Sequence, residues 1–158
     1  MAIFTASLRQ LAGEFHLETL YLSSDFDRVQ VLAEDVSRPA LQLTGFFEHF
    51  EPSRLQVIGR VEYTYLMGMS PSQRQAIFDR LFSYRPPALI YARNLEPSSE
   101  CMIMAKKHNV SILRSADTTA DLVSSLVATL KHHLAPRLTR HGVLVNVFGA
   151  GLLITGNS

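Results

Sequence analysis

The most regular hydrophobic pattern in the chain runs from residue 88 to residue 134. Two short and continuous apolar runs, 88–92 and 110–113, predict strands that are covered on both faces. A helical stripe follows each run, and the connections between these elements are short. Strand, helix, strand and helix in this order predict parallel strand pairing within a layered α/β fold.

Two helices accompany these predicted strands. The first begins at Pro97, and three of its side chains are expected to point inward: Cys101, Met104 and Ala105. The second is capped by Thr118 or Thr119. Its apolar face consists of Leu122, Val123, Leu126, Val127, Leu130 and Leu134. Basic residues and histidines at 106–108 and 131–133 suit the negative ends of the two helix dipoles.

The first half of the chain shows weaker periodicity. Residues 5–15 predict a helix with Thr5 as its N-cap, and residues 61–67 predict another helix. The stretches between them predict an extended segment at 16–22, a polar turn at 23–27 and a short strand at 29–32.

A sharper helix start lies at residue 70. Ser70 is suited to cap the helix, Pro71 occupies the first turn, where its missing N–H costs nothing, and Gln73 can bond back to the cap. The buried stripe of this helix is expected to be Ile77, Phe78, Leu81 and Phe82. Arginine followed by two prolines at 85–87 ends the helix.

Composition narrows the class of protein without identifying it. The chain has 158 residues, 47% of them apolar and 18% charged, as expected for an ordinary globular protein with a core. A net charge of +1 gives no general attraction to nucleic acid or to acidic membranes. The first residues lack the features of a signal peptide, and Cys101 is the single cysteine. We therefore expect a cytoplasmic protein with no disulfide and with neither nucleic acid nor membrane as a partner.

The last residues of the chain suggest a hairpin that leads into a loop. Two apolar runs, 143–148 and 152–155, flank a glycine-containing turn and predict a β-hairpin. The second run leads into Gly156, Asn157 and Ser158. A strand that leads into a glycine is how a phosphate-binding loop, G-x-x-x-x-G-K-[ST], begins. Judged from these residues alone, an ordinary turn is the commoner structure.

Segments along nearly the whole chain match those of one known enzyme family. They are Arg38-Pro-Ala-Leu-Gln-Leu-Thr-Gly-Phe-Phe47, Arg54-Leu-Gln-Val-Ile-Gly59, Leu134-Ala-Pro136, His141-Gly-Val-Leu-Val and Val147-Phe-Gly-Ala-Gly-Leu-Leu-Ile-Thr-Gly156. Together, and in this order, they resemble the bacterial HPr kinase/phosphorylase family. The chain departs from the family pattern at Ala40, Asn146 and Phe148, where glycine, aspartate and tyrosine are usual.

This resemblance implies a fold and a function. The implied fold is an amino-terminal α/β domain at 1–133, with a partly parallel sheet like the first domain of the Mur ligases. A linker and hairpin at 134–158 would then begin a P-loop kinase domain. The implied function is that of the amino-terminal portion of a bifunctional, ATP-dependent protein-serine kinase/phosphorylase, which phosphorylates and dephosphorylates HPr of the sugar phosphotransferase system. The family's hexameric assembly implies a homo-oligomer.

The resemblance also implies site residues. His141 stands where the family has a catalytic histidine, although a histidine that heads a strand is more often structural when judged alone. Gly156, Asn157 and Ser158 would bind the cofactor ATP, with Mg²⁺ held mainly by residues later in the family pattern. Phosphate and pyrophosphate take part in the reverse reaction. Because the family's loop lysine and general base come after the position of Ser158, we expect residues 1–158 alone to be inactive.

Two other kinds of function remain open at this stage. The chain can be a non-catalytic module that binds a ligand or assembles into oligomers, or it can be a purely structural domain. Arg38 and Arg54 are candidate anion-binding residues, although a lone surface arginine is usually solvated or paired.

Four further features have a structural explanation that we favour over a functional one. Phe46, Phe47 and Phe50 around His49 are expected to pack in the core or in an oligomer interface, with a small-ligand pocket or a partner surface as the alternative. Cys101 is expected to be buried and unreactive. The remaining two features are the 106–108 charge run, expected to be solvated rather than phosphate-binding, and the His132–His133 pair, whose side chains point about 100° apart on a helix and would chelate poorly.

Overall fold

Seven strands and six helices make up residues 5–135, the part of the chain that the computed structural model describes. The strands are β1 (Ala6–Ser7), β2 (Glu18–Tyr21), β3 (Gln30–Val31), β4 (Val36–Ser37), β5 (Leu55–Ile58), β6 (Ala88–Tyr91) and β7 (Ser111–Arg114). The helices are α1 (Leu8–Glu14), α2 (Ala40–Leu43), α3 (Arg60–Met67), α4 (Pro71–Ser83), α5 (Ser99–His108) and α6 (Thr119–Leu134). A 3₁₀ turn spans Phe26–Arg28.

Five of the strands form one sheet in the order β2-β7-β6-β5-β4. The pairs β4–β5, β5–β6 and β6–β7 are parallel, whereas β2 pairs antiparallel with β7 at one edge. β1 and β3 form a separate antiparallel pair. The predicted α/β class and the partly parallel sheet are therefore confirmed. Every residue of β5 and β6 is buried, as in strands covered on both faces.

The core consists of two apolar clusters on opposite faces of this sheet. One cluster packs α1 and α6 against strand side chains such as Val57, Ile90 and Leu113. The other packs α2, α3, α4 and α5 against the alternate strand positions, among them Ile58 and Leu89. Successive strand side chains point to opposite faces, so each buried strand contributes to both clusters.

The predicted start of α4 is confirmed in detail. Ser70 Oγ accepts a hydrogen bond from the Gln73 N–H at 3.2 Å, and Gln73 Oε1 accepts one from the Ser70 N–H at 2.9 Å. Pro71 occupies the first turn. The expected stripe is buried at Phe78, Leu81 and Phe82, while Ile77 is only partly buried.

Two predicted helix starts differ from the structure. Ser7, rather than Thr5, caps α1 by accepting from the Gln10 N–H at 3.3 Å, because β1 occupies the residues before the helix. Ser98, rather than Pro97, directly precedes α5 and caps it. At α6, Thr118 is the cap among the two candidate threonines.

Several short elements were not predicted from the sequence. β4 has two residues and α2 has four, which is too short for either to show a periodic pattern. Phe26 is buried, although it lies in the stretch predicted as a polar turn. Its ring enters the cluster beneath α1, and the 3₁₀ turn places it there.

One partly buried arginine connects three helices. Arg74 of α4 donates from Nε to Glu100 Oε1 of α5 at 2.9 Å, and from Nη1 to the carbonyl oxygens of Leu66 and Met69 at 3.2 and 2.7 Å. These carbonyls lie at the end of α3, where a helix has no further N–H groups to donate to its last carbonyl oxygens. The hydrogen bond from Arg74 holds the pKa of Glu100 below its ordinary value.

The helices between residues 5 and 135 include none that combines the length and the hydropathy needed to cross a lipid bilayer.

Candidate functional site

The site residues predicted from the sequence, His141, Gly156, Asn157 and Ser158, lie outside the described residues, as does the predicted hairpin. Their roles therefore stay predictions. The domain boundary near residue 133 also stays a prediction, although α6 ends close to it, at Leu134.

A candidate site within the described residues lies where the parallel strands end. In open α/β sheets, ligands bind in the crevice outside the carboxyl ends of the strands. Arg38 follows β4, Gly59 follows β5, and Arg93 comes two residues after β6. Thr119 begins α6 at the same edge. We call the residues Arg38, Gly59, Arg60, Val61, Glu62, Arg93 and Thr119 the carboxyl-edge site.

Gly59 is the point of closest approach within this site. It precedes α3 as the N-cap residue and is buried. A Cβ atom on Gly59 would lie 2.5 Å from Thr119 Oγ1, 2.8 Å from Thr119 Cγ2 and 2.8 Å from Arg38 Nη2. The side chains of Arg38, which follows β4, and of Thr119, the first residue of α6, thus come together over the α-carbon of Gly59. A larger residue at this position would force them apart.

Glu62 connects Gly59 to Arg38. Glu62 Oε1 accepts from the Gly59 N–H at 2.8 Å and from Arg38 Nη2 at 2.9 Å. The Glu62 side chain is 3% exposed, whereas that of Arg38 is 41% exposed. Glu62 is therefore the buried partner of this ion pair, and the rest of the Arg38 guanidinium faces outward.

The first turn of α3 has free donors. A glycine at the N-cap has no side chain that could accept from the first-turn N–H groups. The amides of Arg60 and Val61 consequently have no capping partner within residues 5–135.

The Thr119 hydroxyl is buried and unpaired. Thr119 is 6% exposed, and its Oγ1 has no hydrogen-bond partner among the residues that the structure describes. The capping of α6 is already performed by Thr118. Leaving a buried hydroxyl without a partner costs about 1–3 kcal/mol. This hydroxyl points at the Gly59 α-carbon, beside the Arg38 guanidinium.

Charged residues of both signs lie at this edge. Arg60 and Arg93 are exposed, and neither takes part in an ion pair with another described residue. The Arg93 N–H donates to the carbonyl oxygen of Asp117 at 2.8 Å, which brings one exposed carboxylate residue to this edge. Arg114 differs, because its guanidinium is paired with Glu18 and Glu96, and these hydrogen bonds raise the pKa of Arg114.

Cys101 is a structural residue, as predicted. It is fully buried, and its Sγ accepts a hydrogen bond from the Tyr91 hydroxyl at 3.1 Å. Burial raises the pKa of Cys101 to about 12 and raises the pKa of Tyr91 well above its ordinary value. A thiol that stays protonated is a poor nucleophile.

The basic helix ends have carboxylate partners. Lys107 Nζ and His108 Nε2 lie 3.1 and 2.6 Å from Asp79 Oδ1 of α4. The hydrogen bonds with His108 and Lys107 lower the pKa of Asp79. His133 Nε2 lies 3.3 Å from Glu14 Oε1. Within residues 5–135, no group of three or more side chains of the metal-binding types is arranged to hold a metal ion.

The aromatic residues at 46–50 divide between core and surface. Phe47 is buried and stacks on Tyr84 with ring centroids 5.1 Å apart, and the Arg80 guanidinium lies 4.2 Å from the Phe47 centroid. Phe50 packs edge-on against both rings. Phe46 is 46% exposed. The core prediction is thus confirmed for Phe47.

Two further surface features lie outside the carboxyl-edge site. An open groove of about 820 Å³ lies between α2, α3 and α4, and Leu43, Tyr65, Met69, Ala76 and Ile77 contribute its apolar lining. Arg54, the second arginine suggested for an anion site, has its Nη1 4.0 Å from Asp35 Oδ2. It precedes β5, whereas Gly59 follows β5, so the two residues lie at opposite ends of this strand.

The profile described as HPr Serine kinase N terminus matches residues 6–130, which is most of the chain. The chain belongs to this family. The resemblance noted in the sequence is therefore confirmed, and so is the α/β class expected for the family's amino-terminal domain.

Individual relatives agree with the family match. The HPr kinase/phosphorylase of Caldicellulosiruptor bescii is 41% identical over 156 residues, which is 99% of this chain and 50% of the relative. That of Lachnoclostridium phytofermentans is 38% identical over 156 residues, with the same coverage of 99% and 50%. That of Clostridium perfringens strain 13 is 40% identical over 152 residues, covering 96% and 49%. The chain spans about half the length of the curated relatives it matches.

One solved structure shares the fold at low sequence identity. It contains the CBS and DRTGG domains of the regulatory region of Clostridium perfringens pyrophosphatase, complexed with the activator diadenosine tetraphosphate. The TM-score is 0.56 at 17% identity, and the match covers 82% of this chain and 50% of the other.

The sequence indicated only one residue of the carboxyl-edge site as a candidate, Arg38. Gly59, Glu62 and Thr119 were not singled out for function. The sequence did contain a signal for Gly59 and Glu62. A strand that leads into a helix typically shows an apolar run, then a glycine, then a glutamate at the third helical position, and residues 55–62 follow this pattern. The Thr119 contact had no signal, since it joins residues 60 positions apart.

Proposed function

We propose that the chain is the amino-terminal portion of a bifunctional, ATP-dependent protein-serine kinase/phosphorylase that phosphorylates and dephosphorylates HPr of the sugar phosphotransferase system. The observation that carries this proposal is the identity of about 40% over nearly the whole chain with relatives named HPr kinase/phosphorylase. We further propose that the protein is cytoplasmic and assembles into a homo-oligomer, a hexamer as in the family.

In this proposal, the catalytic residues follow the described domain. His141 supports the phosphate groups of the substrate, and Gly156, Asn157 and Ser158 begin the loop that binds the phosphates of ATP. Bound ATP with Mg²⁺ supplies the phosphoryl group, and phosphate and pyrophosphate enter and leave in the reverse reaction.

The direct test is transfer of the ATP γ-phosphate to a serine of HPr by the complete gene product in the presence of Mg²⁺. We expect a phosphoserine on HPr, and its removal when phosphate is supplied without ATP. HPr with that serine replaced by alanine is the control. A folded product that binds ATP and leaves HPr unmodified would show that the scaffold serves another substrate.

The role of His141 has its own test. His141→Ala in the complete gene product is expected to lower both the kinase and the phosphorylase rates, because both directions handle the same phosphate groups. His108→Ala is the matched control, since His108 lies in the described domain and contacts Asp79. Unchanged rates in both directions for His141→Ala would contradict the assigned role.

A second candidate function is that of a non-catalytic module that binds a ligand or supports oligomerisation. The carboxyl-edge site favours ligand binding, because it combines unpaired donors with positive charge. The apolar groove beside α3 favours an interface between subunits. A saturable rise in melting temperature with a nucleotide sugar or a phosphorylated metabolite would support the ligand-binding module. A concentration-dependent oligomer without any ligand response would support assembly alone.

A further inference from the structure

We propose that the carboxyl-edge site binds the phosphate group of a small molecule. In the proposed complex the phosphate lies over the start of α3, against the outer side of the Arg38 guanidinium and above the Thr119 hydroxyl. This inference deepens the second candidate function, ligand binding, and does not depend on the kinase reaction. The residues involved all lie within 38–119, whereas those assigned to phosphoryl transfer begin at His141.

Backbone donors provide the first part of the site. The amides of Arg60 and Val61 are uncapped among the described residues, because the N-cap of α3 is a glycine. The first-turn N–H groups of a helix and its positive dipole end together form a natural anion site. The start of α6 lies against Gly59, so the positive ends of two helices, of 8 and 16 residues, meet at this point.

The Thr119 hydroxyl provides an independent indication of a ligand. It is buried, has no partner within residues 5–135, and lies within 2.5 Å of the Cβ position of Gly59. Arg38 Nη2 lies 2.8 Å from the same position, so the guanidinium lies next to the hydroxyl. Since the Arg38 side chain is 41% exposed, an anion can reach the guanidinium from solvent, and in the proposed complex it also accepts from the hydroxyl.

The charged group that lies against the Gly59 position is an arginine. Glu62 is already neutralised by Arg38 and held by the Gly59 N–H. Arg60 and Arg93 add two exposed positive charges, and Asp117 and Asp121, which lie just before α6 and in its first turn, add two exposed negative ones. Arginine is well suited to phosphate, because its planar fork donates two parallel hydrogen bonds.

The directions of the donors favour phosphate over carboxylate. They come from the residue after β4, from the first turn of α3 and from the first residue of α6. A tetrahedral anion can accept from three such directions at once, whereas a carboxylate presents its acceptors in one plane. Arg38 Nη2 and Thr119 Oγ1 lie 2.8 and 2.5 Å from one position beside Gly59. In the proposed complex, one phosphate group accepts from both of them and from the first turn of α3.

The first experiment is a titration of inorganic phosphate into the full chain at constant ionic strength, with chloride as the balancing ion. Binding is measured by the rise in melting temperature and by NMR shifts of the Gly59–Val61 amides. In Thr119→Val, the melting temperature without phosphate is expected to stay equal or rise, because an unpaired buried hydroxyl is removed. The dissociation constant is expected to increase about tenfold. Equal phosphate affinity in Thr119→Val and in the unchanged chain would overturn the proposal.

A second set of variants tests the charge without leaving a buried carboxylate unpaired. Arg38→Met combined with Glu62→Gln removes both charges and keeps an acceptor for the Gly59 N–H. Phosphate affinity is expected to fall by at least about tenfold. Lys131→Met combined with Glu34→Gln is the matched control, because it also removes one ion pair without changing the net charge, near the last turn of α6 rather than its first. Equal losses in both double variants would indicate a nonspecific effect of removing charges and overturn the proposal.

The source of the phosphate is distinguished in the same titration. Tighter binding of a phosphorylated sugar or a nucleotide than of inorganic phosphate would assign the site to a metabolite, and equal affinities would assign it to free phosphate. The absence of saturable binding by all of these probes would overturn the proposal. Such a result would leave the ATP-to-HPr transfer untouched, because that assay uses other residues.

Discussion

Gly59 lies between side chains that leave no room for a Cβ atom. We expect Gly59→Ala to lower the free energy of unfolding by about 1–3 kcal/mol, as overpacking does in a well-packed interior. Arg38 can move its flexible end into solvent, but Thr119 is the first residue of α6 and can move only with the helix. Urea denaturation followed by circular dichroism measures the loss.

Gly13 provides the matched control for this substitution. It lies in α1, and no heavy atom lies within 4 Å of its Cβ position. Gly13→Ala is expected to raise the free energy of unfolding by about 0.5–1 kcal/mol, because alanine is the better helix former. Similar shifts in the two variants would show that the contact at Gly59 is not tight.

The buried Cys101 thiol predicts a loss of stability at alkaline pH. Burial raises the pKa of Cys101 from 9.0 to about 12, so the thiol keeps its proton in the folded chain while the unfolded chain releases it. The stabilisation from the protonated thiol is fully present below pH 9.0 and is lost as the pH rises toward about 12. The free energy of unfolding should fall by up to about 1.4 kcal/mol per pH unit on account of this group.

Cys101→Ala tests this origin of the pH dependence. Urea denaturation at several pH values above 9.0 should show a shallower slope in the variant than in the unchanged chain. A residual slope is expected from Tyr91, whose pKa is also raised by burial. Identical slopes in the two proteins would assign the alkaline loss to other groups.

At the scale of a single element, the capping box of α4 can be tested by one substitution. Ser70→Ala removes the acceptor of the Gln73 N–H and is expected to lower the free energy of unfolding by about 1 kcal/mol. Ser124→Ala is the control, because Ser124 is exposed within α6 and alanine favours the helix there. A loss in the control as large as that in Ser70→Ala would show that the cap is unimportant.

Long elements were predictable because their causes are local. The start of α4 follows from Ser70, Pro71 and Gln73, and the face of α6 follows from leucines spaced at helical intervals. The short elements β4 and α2 have no such local cause. β4 exists because it pairs with β5, and that pairing depends on the rest of the sheet.

The carboxyl-edge site was less predictable than the fold for a related reason. Arg38 was a candidate as a lone arginine, but its partner Glu62 is 24 residues away. Thr119 lies 60 residues after Gly59 in the sequence. A spacing within the sequence can place residues on one helix face, but it does not reveal which strand ends meet.

At the scale of the whole molecule, the described residues should fold without the rest of the chain. Among the described residues, those between 6 and 134 form two apolar clusters, one on either face of the sheet. A chain that ends at Ala135 is therefore expected to unfold in one transition, at the same melting temperature as the full chain. Differential scanning calorimetry provides the comparison. A markedly lower melting temperature would show that residues 136–158 contribute to the stability of this domain.

The position of β2 next to β7 in the sheet affects the order in which the strands can pair during synthesis. Glu18 of β2 and Arg114 of β7 form a two-oxygen ion pair across 96 residues of sequence. On the ribosome, β4, β5 and β6 can pair as each one emerges, whereas β2 has to wait until β7 has been made. Nascent chains of increasing length should therefore gain protease resistance in their first thirty or so residues only after residue 114 has left the exit tunnel. β2 is thus the first strand of the main sheet to be synthesised and the last one to pair with a neighbour.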